Sequence, residues 1–200
     1  MKRPLVCLVL AAAVLIAPLY RPLWAGESKM TDQTNPVVLI QTTNGAFKVE
    51  LWPEQAPETV KNFLRYVDEE YYAGTIFHRV IDGFMIQGGG LNVQMQPKQG
   101  RSPIKNEATA ELKNTLGTIA MARTNQVNSA TSQFFINIAD NEFLDHKNAT
   151  PQGFGYAVFG KVTEGMDVVL AIGKIKTRSF GSHQDVPVDP ILIDSVTRVE

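Results

Sequence analysis

The feature that most constrains this 200-residue chain is a series of short strand-like segments joined by connections rich in Gly, Asn and Pro. So many short strands must pair their edges somewhere, and a sheet that closes on itself leaves no edge unpaired. The sequence therefore predicts a single, mainly β domain built around a closed barrel. The eight predicted strands cover residues 37–41, 47–51, 75–80, 84–87, 116–121, 133–138, 156–162 and 191–199.

The first two strands carry a hairpin signal. The dipeptide Asn44-Gly45 lies between them and is typical of a tight turn that joins antiparallel strands. In the second strand Phe47, Val49 and Leu51 alternate with other residues, so all three share one face. This pattern predicts a half-buried strand that follows a two-residue turn.

Two segments have helical periodicity instead. The first begins at Pro57, which suits the first turn of a helix, and Glu58 complements the helix dipole there. A shorter helix is expected over residues 166–175, after Gly165. The apolar residues of the first helix have the spacing i, i+3, i+4, i+7, i+11 and predict about four turns. They are Val60, Phe63, Leu64, Val67 and Tyr71.

Composition excludes several classes of protein. With 44% apolar and 20% charged residues the chain is not expected to be disordered. Nineteen basic residues against twenty acidic ones give no electrostatic reason to expect nucleic acid as a partner. Because Cys7 is the single cysteine, neither a disulfide framework nor a cysteine metal site can form.

The first 25 residues have the order of a secretory signal. Lys2 and Arg3 precede an uncharged apolar run over 5–19, and Ala25 offers a small residue for cleavage. The run is shorter than the ~20 residues that a transmembrane helix needs, although an uncleaved membrane anchor stays an alternative. Cleavage would leave sixteen basic residues, twenty acidic ones and no cysteine, which suits an oxidising compartment. Residues 26–36 are polar and predict a flexible lead.

Several familiar kinds of catalytic site find no support. The run 88–90 is a triple glycine, but it lacks the Lys-Ser/Thr of a phosphate-binding loop and predicts a sharp bend after a strand. The three histidines, His78, His146 and His183, are too far apart to indicate a zinc site. A G-x-S-x-G elbow is also missing. The residues therefore indicate no nucleophile, metal cluster or nucleotide loop.

The segment 77–89 has an odd composition for a structural strand. Arg79 and Gln87 lie among Phe, Met and Ile, and strand alternation would place Arg79 on the same face as Phe77 and Ile81. Taken alone, this segment favours an arginine at a strand end that keeps its charged group in water.

Longer blocks identify a family. FHRVIDGFMIQGGG, GTIAMAR, SATSQFFINIADNEFLDH and GYAVFGKVTEGMDVV resemble the cyclophilin-type peptidyl-prolyl cis-trans isomerases, particularly the periplasmic cyclophilins of Gram-negative bacteria. The resemblance runs from about Val37 to Val199. It implies a cyclophilin-like closed eight-stranded antiparallel barrel capped by two α-helices, and a periplasmic location.

The implied reaction is rotation about an X–Pro peptide bond. Conjugation of the nitrogen lone pair with the carbonyl gives this bond a barrier of ~18–20 kcal/mol. Uncatalysed exchange is slow enough to limit protein folding. Because no covalent bond breaks, the reaction needs no nucleophile, metal or cofactor.

The resemblance also implies the site residues. Arg79 would be catalytic and donate a hydrogen bond to the prolyl nitrogen, while Gln87 would orient Arg79 and bind the substrate backbone. For Phe84 and Phe135 an ordinary place in the barrel core stays an alternative. The implied proline slot comprises Phe84, Met85, Phe135 and Leu144, with Phe143 at its rim, and Ala122, Arg123, Gln133 and Tyr156 would line the rest of the groove.

Three departures from the eukaryotic cytosolic pattern are present. Phe143 replaces a Trp and therefore lacks the indole N–H donor, so we expect weak binding of cyclosporin-class ligands with isomerase activity retained. Tyr156 replaces a His and still offers a hydroxyl. The stretch 146–154 is longer than its eukaryotic counterpart, and the sequence gives it no role.

Two classes of function are compatible with these residues. The first is an exported foldase that accelerates prolyl isomerisation in unfolded or partly folded polypeptides. The second is a chaperone module that binds proline-containing peptides and turns them over only incidentally. Arg79 and Gln87 favour the first, because a pure binder needs only the pocket. A monomer is the default, and membrane contact is expected only if the N-terminal segment is uncleaved.

Overall fold

In a computed structural model, the described part of the chain, residues 35–199, contains ten strands and two α-helices. Eight of the strands close into an antiparallel barrel in the order β1-β10-β3-β4-β6-β5-β7-β2, which confirms the predicted fold class. The strands are β1 Val37–Thr42, β2 Gly45–Leu51, β3 Thr75–Ile81, β4 Met85–Asn92, β5 Thr118–Met121, β6 Phe134–Asn137, β7 Val158–Glu164, β8 Thr177–Phe180, β9 His183–Pro187 and β10 Ile191–Val199. The helices are α1 Pro57–Asp68 and α2 Met166–Gly173, and a short 3-10 helix spans Glu142–Leu144.

The barrel begins with the predicted hairpin. β1 and β2 pair up to the turn that contains Asn44, and Gly45 has a φ of +122° that a residue with a side chain rarely adopts. Phe47, Val49 and Leu51 are all buried in the barrel interior. The alternation read from the sequence therefore places this face correctly.

Helix α1 supplies a large part of the core. It ends at Asp68 instead of continuing to Tyr71, because Glu70 takes a left-handed φ of 51° that a helix cannot continue through. Phe63 is fully buried and lies at the centre of an aromatic cluster. Its ring is 5.2–5.7 Å from the rings of Tyr72, Phe134 and Phe159.

The N-terminus of α1 is capped by a residue that is distant in sequence. Ala56 at the N-cap has no side chain that can accept a hydrogen bond. The Glu107 carboxylate accepts from the backbone N–H groups of Glu58 and Thr59 at 3.1 and 2.7 Å, and from the Thr59 hydroxyl at 2.7 Å. A negative group at this helix end accepts hydrogen bonds from N–H groups that have no partner within the helix. It also interacts favourably with the positive end of the helix dipole.

The triple glycine lies inside strand β4, so the prediction of a bend after the strand was wrong about its place. Gly89 has a φ of +80°, and a Cβ there would lie 2.8 Å from Phe134 and 2.9 Å from Tyr72. β4 therefore continues through the glycines because only they let its backbone pass this close to the aromatic core.

Strands β8 and β9 form a separate two-stranded sheet that the sequence did not predict. Every residue of β8 is exposed, so the segment shows no alternation of apolar and polar positions. The sheet lies beside β3. It therefore borders the segment that contains Arg79.

The predictions for residues 1–25 and for nearly all of 26–36 lie outside the described residues. Among the helices that the structure does describe, none is both long enough and apolar enough to cross a membrane.

Candidate active site

A row of paired residues runs across the outer face of the barrel. Arg79 on β3 is opposite Gln87 on β4, and Gln87 is opposite Phe135 on β6. Phe135 is in turn opposite Ala120 on β5. Directly opposed residues project on the same side of a sheet. Their neighbours along the strands fill the barrel interior, namely Ile86, Ile119 and Ile136.

A β-bulge decides which way Arg79 points. Phe77 pairs with Gly88 and Arg79 with Gln87, so His78 is an extra residue in β3. Phe77 consequently lies in the core, where its ring is 6.0 Å from the ring of Phe134. The prediction that Arg79 and Phe77 share a face was wrong, because the bulge inverts the alternation between them.

The bulge residue His78 is buried and 6% exposed. Its Nδ1 has no hydrogen-bond partner among the described residues. The pKa of His78 falls from 6.5 to about 4, mainly because burial penalises the charged ring. The nearby His183 and Arg79 contribute to this decrease, and a backbone hydrogen bond at Ile76 opposes it. The ring is therefore neutral at physiological pH.

A pocket of about 120 Å³ opens beside the row. This volume is well below the ~300–1,000 Å³ of ordinary small-molecule sites, which suits a small ring better than a large side chain. Nine of the eleven predicted site residues surround it. They are Arg79, Phe84, Met85, Gln87, Ala122, Arg123, Phe135, Leu144 and Tyr156.

The other two predicted residues adjoin the pocket. Gln133 accepts a hydrogen bond from Gln87 Nε2 at 3.1 Å. Phe143 is 63% exposed, and its ring lies 5.3 Å from that of Phe84. The structure thus brings all eleven predicted residues to one place, while their individual roles stay predictions.

The apolar part of the pocket is distinct from the barrel core. Met85 and Phe135 are buried in a second cluster together with Ala120 and Val158. The rings of Phe135 and Tyr156 pack in a T-shaped arrangement with their centroids 5.5 Å apart. Phe135 therefore packs outside the barrel interior, and so does the partly buried Phe84.

The Arg79 guanidinium is one of two arginine groups that border the pocket, the other being that of Arg123. The Arg79 side chain is 42% exposed, and the structure records no hydrogen bond from it to any other residue of 35–199. The nearest acidic group is Asp185, whose Oδ2 is 4.0 Å from Arg79 Nε. The N–H donors of Arg79 are thus available to a bound peptide.

Arg123 connects the pocket to the stretch 146–154. Its guanidinium donates to the carbonyl oxygens of Pro151, Thr124 and Gly155 at 2.9, 2.9 and 3.0 Å. It also lies over the Tyr156 ring, 4.8 Å from the centroid. Arg123 therefore fixes this longer stretch against the pocket wall, a contact that the sequence did not indicate.

A buried amide network behind the pocket was also missed. Asn141 Nδ2 donates to the carbonyl oxygen of Phe84 at 2.9 Å and to Asn137 Oδ1 at 2.7 Å. Asp145 Oδ1 accepts from the backbone N–H of Asn114 at 2.8 Å. These bonds fix the backbone on both sides of the slot. The polar residues between 137 and 145 were the available signal, but turns are equally rich in Asn and Asp.

Comparison with known proteins agrees with this geometry. The family model for the cyclophilin type peptidyl-prolyl cis-trans isomerases matches residues 37–198. Peptidyl-prolyl cis-trans isomerase B of Escherichia coli is 53% identical over 161 residues, which cover 80% of this chain and 98% of that protein. Isomerase A of Dickeya dadantii is 48% identical over 189 residues, covering 94% of this chain and 95% of that one.

Solved structures share the fold. The crystal structure of a cyclophilin type isomerase from Cryptosporidium parvum matches with a TM-score of 0.68 at 28% identity, covering 83% of this chain and 98% of that one. A second structure of it, determined in the presence of the dipeptide Ala-Pro, matches with a TM-score of 0.67. With matching sequence blocks, barrel and pocket, this chain belongs to the cyclophilin family and is a peptidyl-prolyl cis-trans isomerase.

Proposed function

We propose that this isomerase acts on X–Pro bonds of unfolded or partly folded polypeptides in the periplasm and so assists the folding of exported proteins. The observation that carries the proposal is that one pocket combines a charged hydrogen-bond donor with an apolar slot. A permanently charged donor, Arg79, borders an apolar slot whose size suits a proline ring.

The mechanism that we assign to Arg79 follows from the electronic structure of the amide. Rotation requires the prolyl nitrogen to become pyramidal and to withdraw its lone pair from the carbonyl. A guanidinium N–H placed at that nitrogen gains strength only in the twisted state, so it stabilises the transition state more than the substrate. Arginine suits this role because its planar group never loses its charge.

Gln87 is assigned an orienting role. As the cross-strand partner of Arg79, it has its Cβ about 5 Å from that of Arg79. Its amide nitrogen is already bonded to Gln133, which fixes the side chain and leaves the amide oxygen as an acceptor. That oxygen can accept a hydrogen bond from the guanidinium or from a substrate N–H. Either bond would help to hold the Arg79 guanidinium and the peptide in the correct relative position.

The apolar slot is assigned to the proline ring. Met85 and Phe135 form its buried floor, and Phe84 and Leu144 stand around it. The Cryptosporidium relative was crystallised in the presence of Ala-Pro, which supports proline-containing peptides as ligands here. Because such a slot contacts the proline ring and little else of the peptide, we expect the enzyme to accept X–Pro bonds in many different sequences.

Weak binding of cyclosporin-class ligands is part of the same proposal. Phe143 is exposed at the rim and packs against Phe84. It keeps the apolar wall but has no N–H to donate. A ligand that depends on this donor should bind less tightly, whereas isomerisation does not need it.

The periplasmic location rests on the N-terminal sequence. Residues 1–25 have the order of a signal, and the remainder has no cysteine. The similarity to the Dickeya protein covers 94% of the chain and so extends well before Val37. Intact-mass measurement of the protein from a periplasmic extract should give an N-terminus near Gly26, and an uncleaved chain in the membrane fraction would contradict this.

A protease-coupled prolyl-peptide assay tests the catalytic assignment. Arg79→Ala should lower kcat/KM about 100-fold, since removal of a donor to the transition state typically costs 10²–10³-fold. Arg101→Ala, an exposed arginine paired with Glu69 away from the pocket, is the matched control and should keep the wild-type rate. Equal rates for Arg79→Ala and wild type would refute the role of Arg79. If neither exceeded the uncatalysed rate while peptide still bound, the binding-module alternative would stand.

A further inference from the structure

Asp185 on strand β9 stands next to the arginine of the pocket. Its Oδ2 lies 4.0 Å from Arg79 Nε, and it is the acidic residue that the structure of 35–199 records at ion-pair distance from Arg79. Asp185 itself does not line the pocket. We therefore expect Asp185 to act on a bound peptide through Arg79 and not through direct contact.

The backbone on both sides of this pair is irregular. β3 carries an extra residue at His78, immediately before Arg79. β9 carries an extra residue between His183 and Val186, relative to Phe180 and Arg178 on β8. Bulges of this kind redirect side chains and are frequent beside active sites.

Asp185 also has an unusual conformation. Its φ is +59°, in the left-handed region that residues other than glycine seldom adopt, although Asp and Asn tolerate it better than most. An uncommon backbone state of this kind is a reason to look for function. Here it occurs at the residue that approaches Arg79, on a hairpin that is not part of the barrel.

We propose that Asp185 is a positioning residue that orients the Arg79 guanidinium for isomerisation. The carboxylate attracts the Nε side of the guanidinium and leaves its two terminal nitrogens for the peptide. Through Asp185, strand β9 thereby contributes to the orientation of the catalytic arginine. The inference rests on the proposed role of Arg79, and its test separates the two.

Asp185→Asn is the informative variant. Asn is nearly the same size and tolerates the same left-handed φ, so the backbone should keep its shape while the charge is lost. Asp189→Asn is the matched control, because Asp189 is an exposed acid of the same segment with no recorded contact to Arg79. A variant that only reduced the negative charge of this region would behave like the control.

We expect Asp185→Asn to lower kcat about three- to fivefold with KM unchanged, and Asp189→Asn to lower neither. The loss should shrink as salt is added, because both side chains of the pair are partly exposed and salt screens them. NMR exchange measurements on an Ala-Pro-containing peptide give both constants. Wild-type kcat in Asp185→Asn, or a loss confined to KM, would overturn the proposal.

The double variant distinguishes positioning from general damage. In an Arg79→Ala background Asp185→Asn should have no further effect, because there is no guanidinium to orient. An undiminished further loss there would overturn the inference. Retention of the full rate by Arg79→Ala alone would instead refute the proposed role of Arg79.

Discussion

At the scale of single residues, the site depends on where one extra residue enters a strand. His78 shifts the register of β3, so Phe77 packs in the core and Arg79 reaches the outer face. Regular alternation would instead place Phe77 and Arg79 on the same face of β3. Sequence identifies Arg79 as unusual among apolar neighbours, but the long-range pairing of β3 with β4 decides its direction.

Phe143 gives a residue-scale prediction about ligand selectivity. Phe143→Trp adds an indole N–H at the exposed rim and should tighten cyclosporin binding up to about tenfold, the value of one additional hydrogen bond. Isothermal titration measures the Kd, and kcat/KM should stay within about twofold. Phe180→Trp, at an exposed phenylalanine outside the pocket, should change neither quantity. Nanomolar inhibition of the wild type would contradict the expectation.

At the scale of elements, strongly periodic segments were predicted well and exposed ones were not. Apart from the C-terminal end of β4, the predicted barrel strands end within two residues of those observed. Helix α1 was recognised from its apolar spacing, yet its cap is Glu107, 48 residues beyond Thr59. The β8–β9 hairpin was missed because its exposed residues carry no hydrophobic pattern.

The cap on α1 predicts a measurable loss of stability. Glu107→Gln removes the negative charge that three donors of Glu58 and Thr59 share, and should cost about 1–2 kcal/mol. Urea unfolding gives this free energy. Glu111→Gln, at an exposed position nearby, should cost less than about 0.5 kcal/mol. Equal effects of the two variants would show that Glu107 does not act as the cap.

At the scale of the whole molecule, burial of the bulge residue couples stability to pH. The pKa of His78 is about 4 in the folded protein against 6.5 as the ordinary value. Between these pH values the unfolded state binds more protons than the folded state. The free energy of unfolding is therefore not reduced by His78 above pH 6.5, and it decreases as the pH drops toward 4. The dependence is at most about 1.4 kcal/mol per pH unit.

Unfolding at pH 7, 6 and 5 tests this coupling. The free energy of unfolding of wild type should decrease across the series, and His78→Gln should show a shallower decrease because its side chain does not titrate. The comparison is between slopes, so any loss of stability caused by the substitution itself does not enter. Parallel slopes would mean that another group is responsible.

The sequence by itself determined the closed barrel, helix α1, the family and the eleven residues that meet around the pocket. These follow from local periodicity and from long blocks of similar sequence, and both can be recognised in consecutive residues of the chain. Tertiary structure decided the direction of Arg79, the cap on α1, the anchoring of 146–154 by Arg123 and the approach of Asp185. Each of these depends on a register shift or on a contact between residues far apart in the chain, and such pairings arise only when the strands assemble.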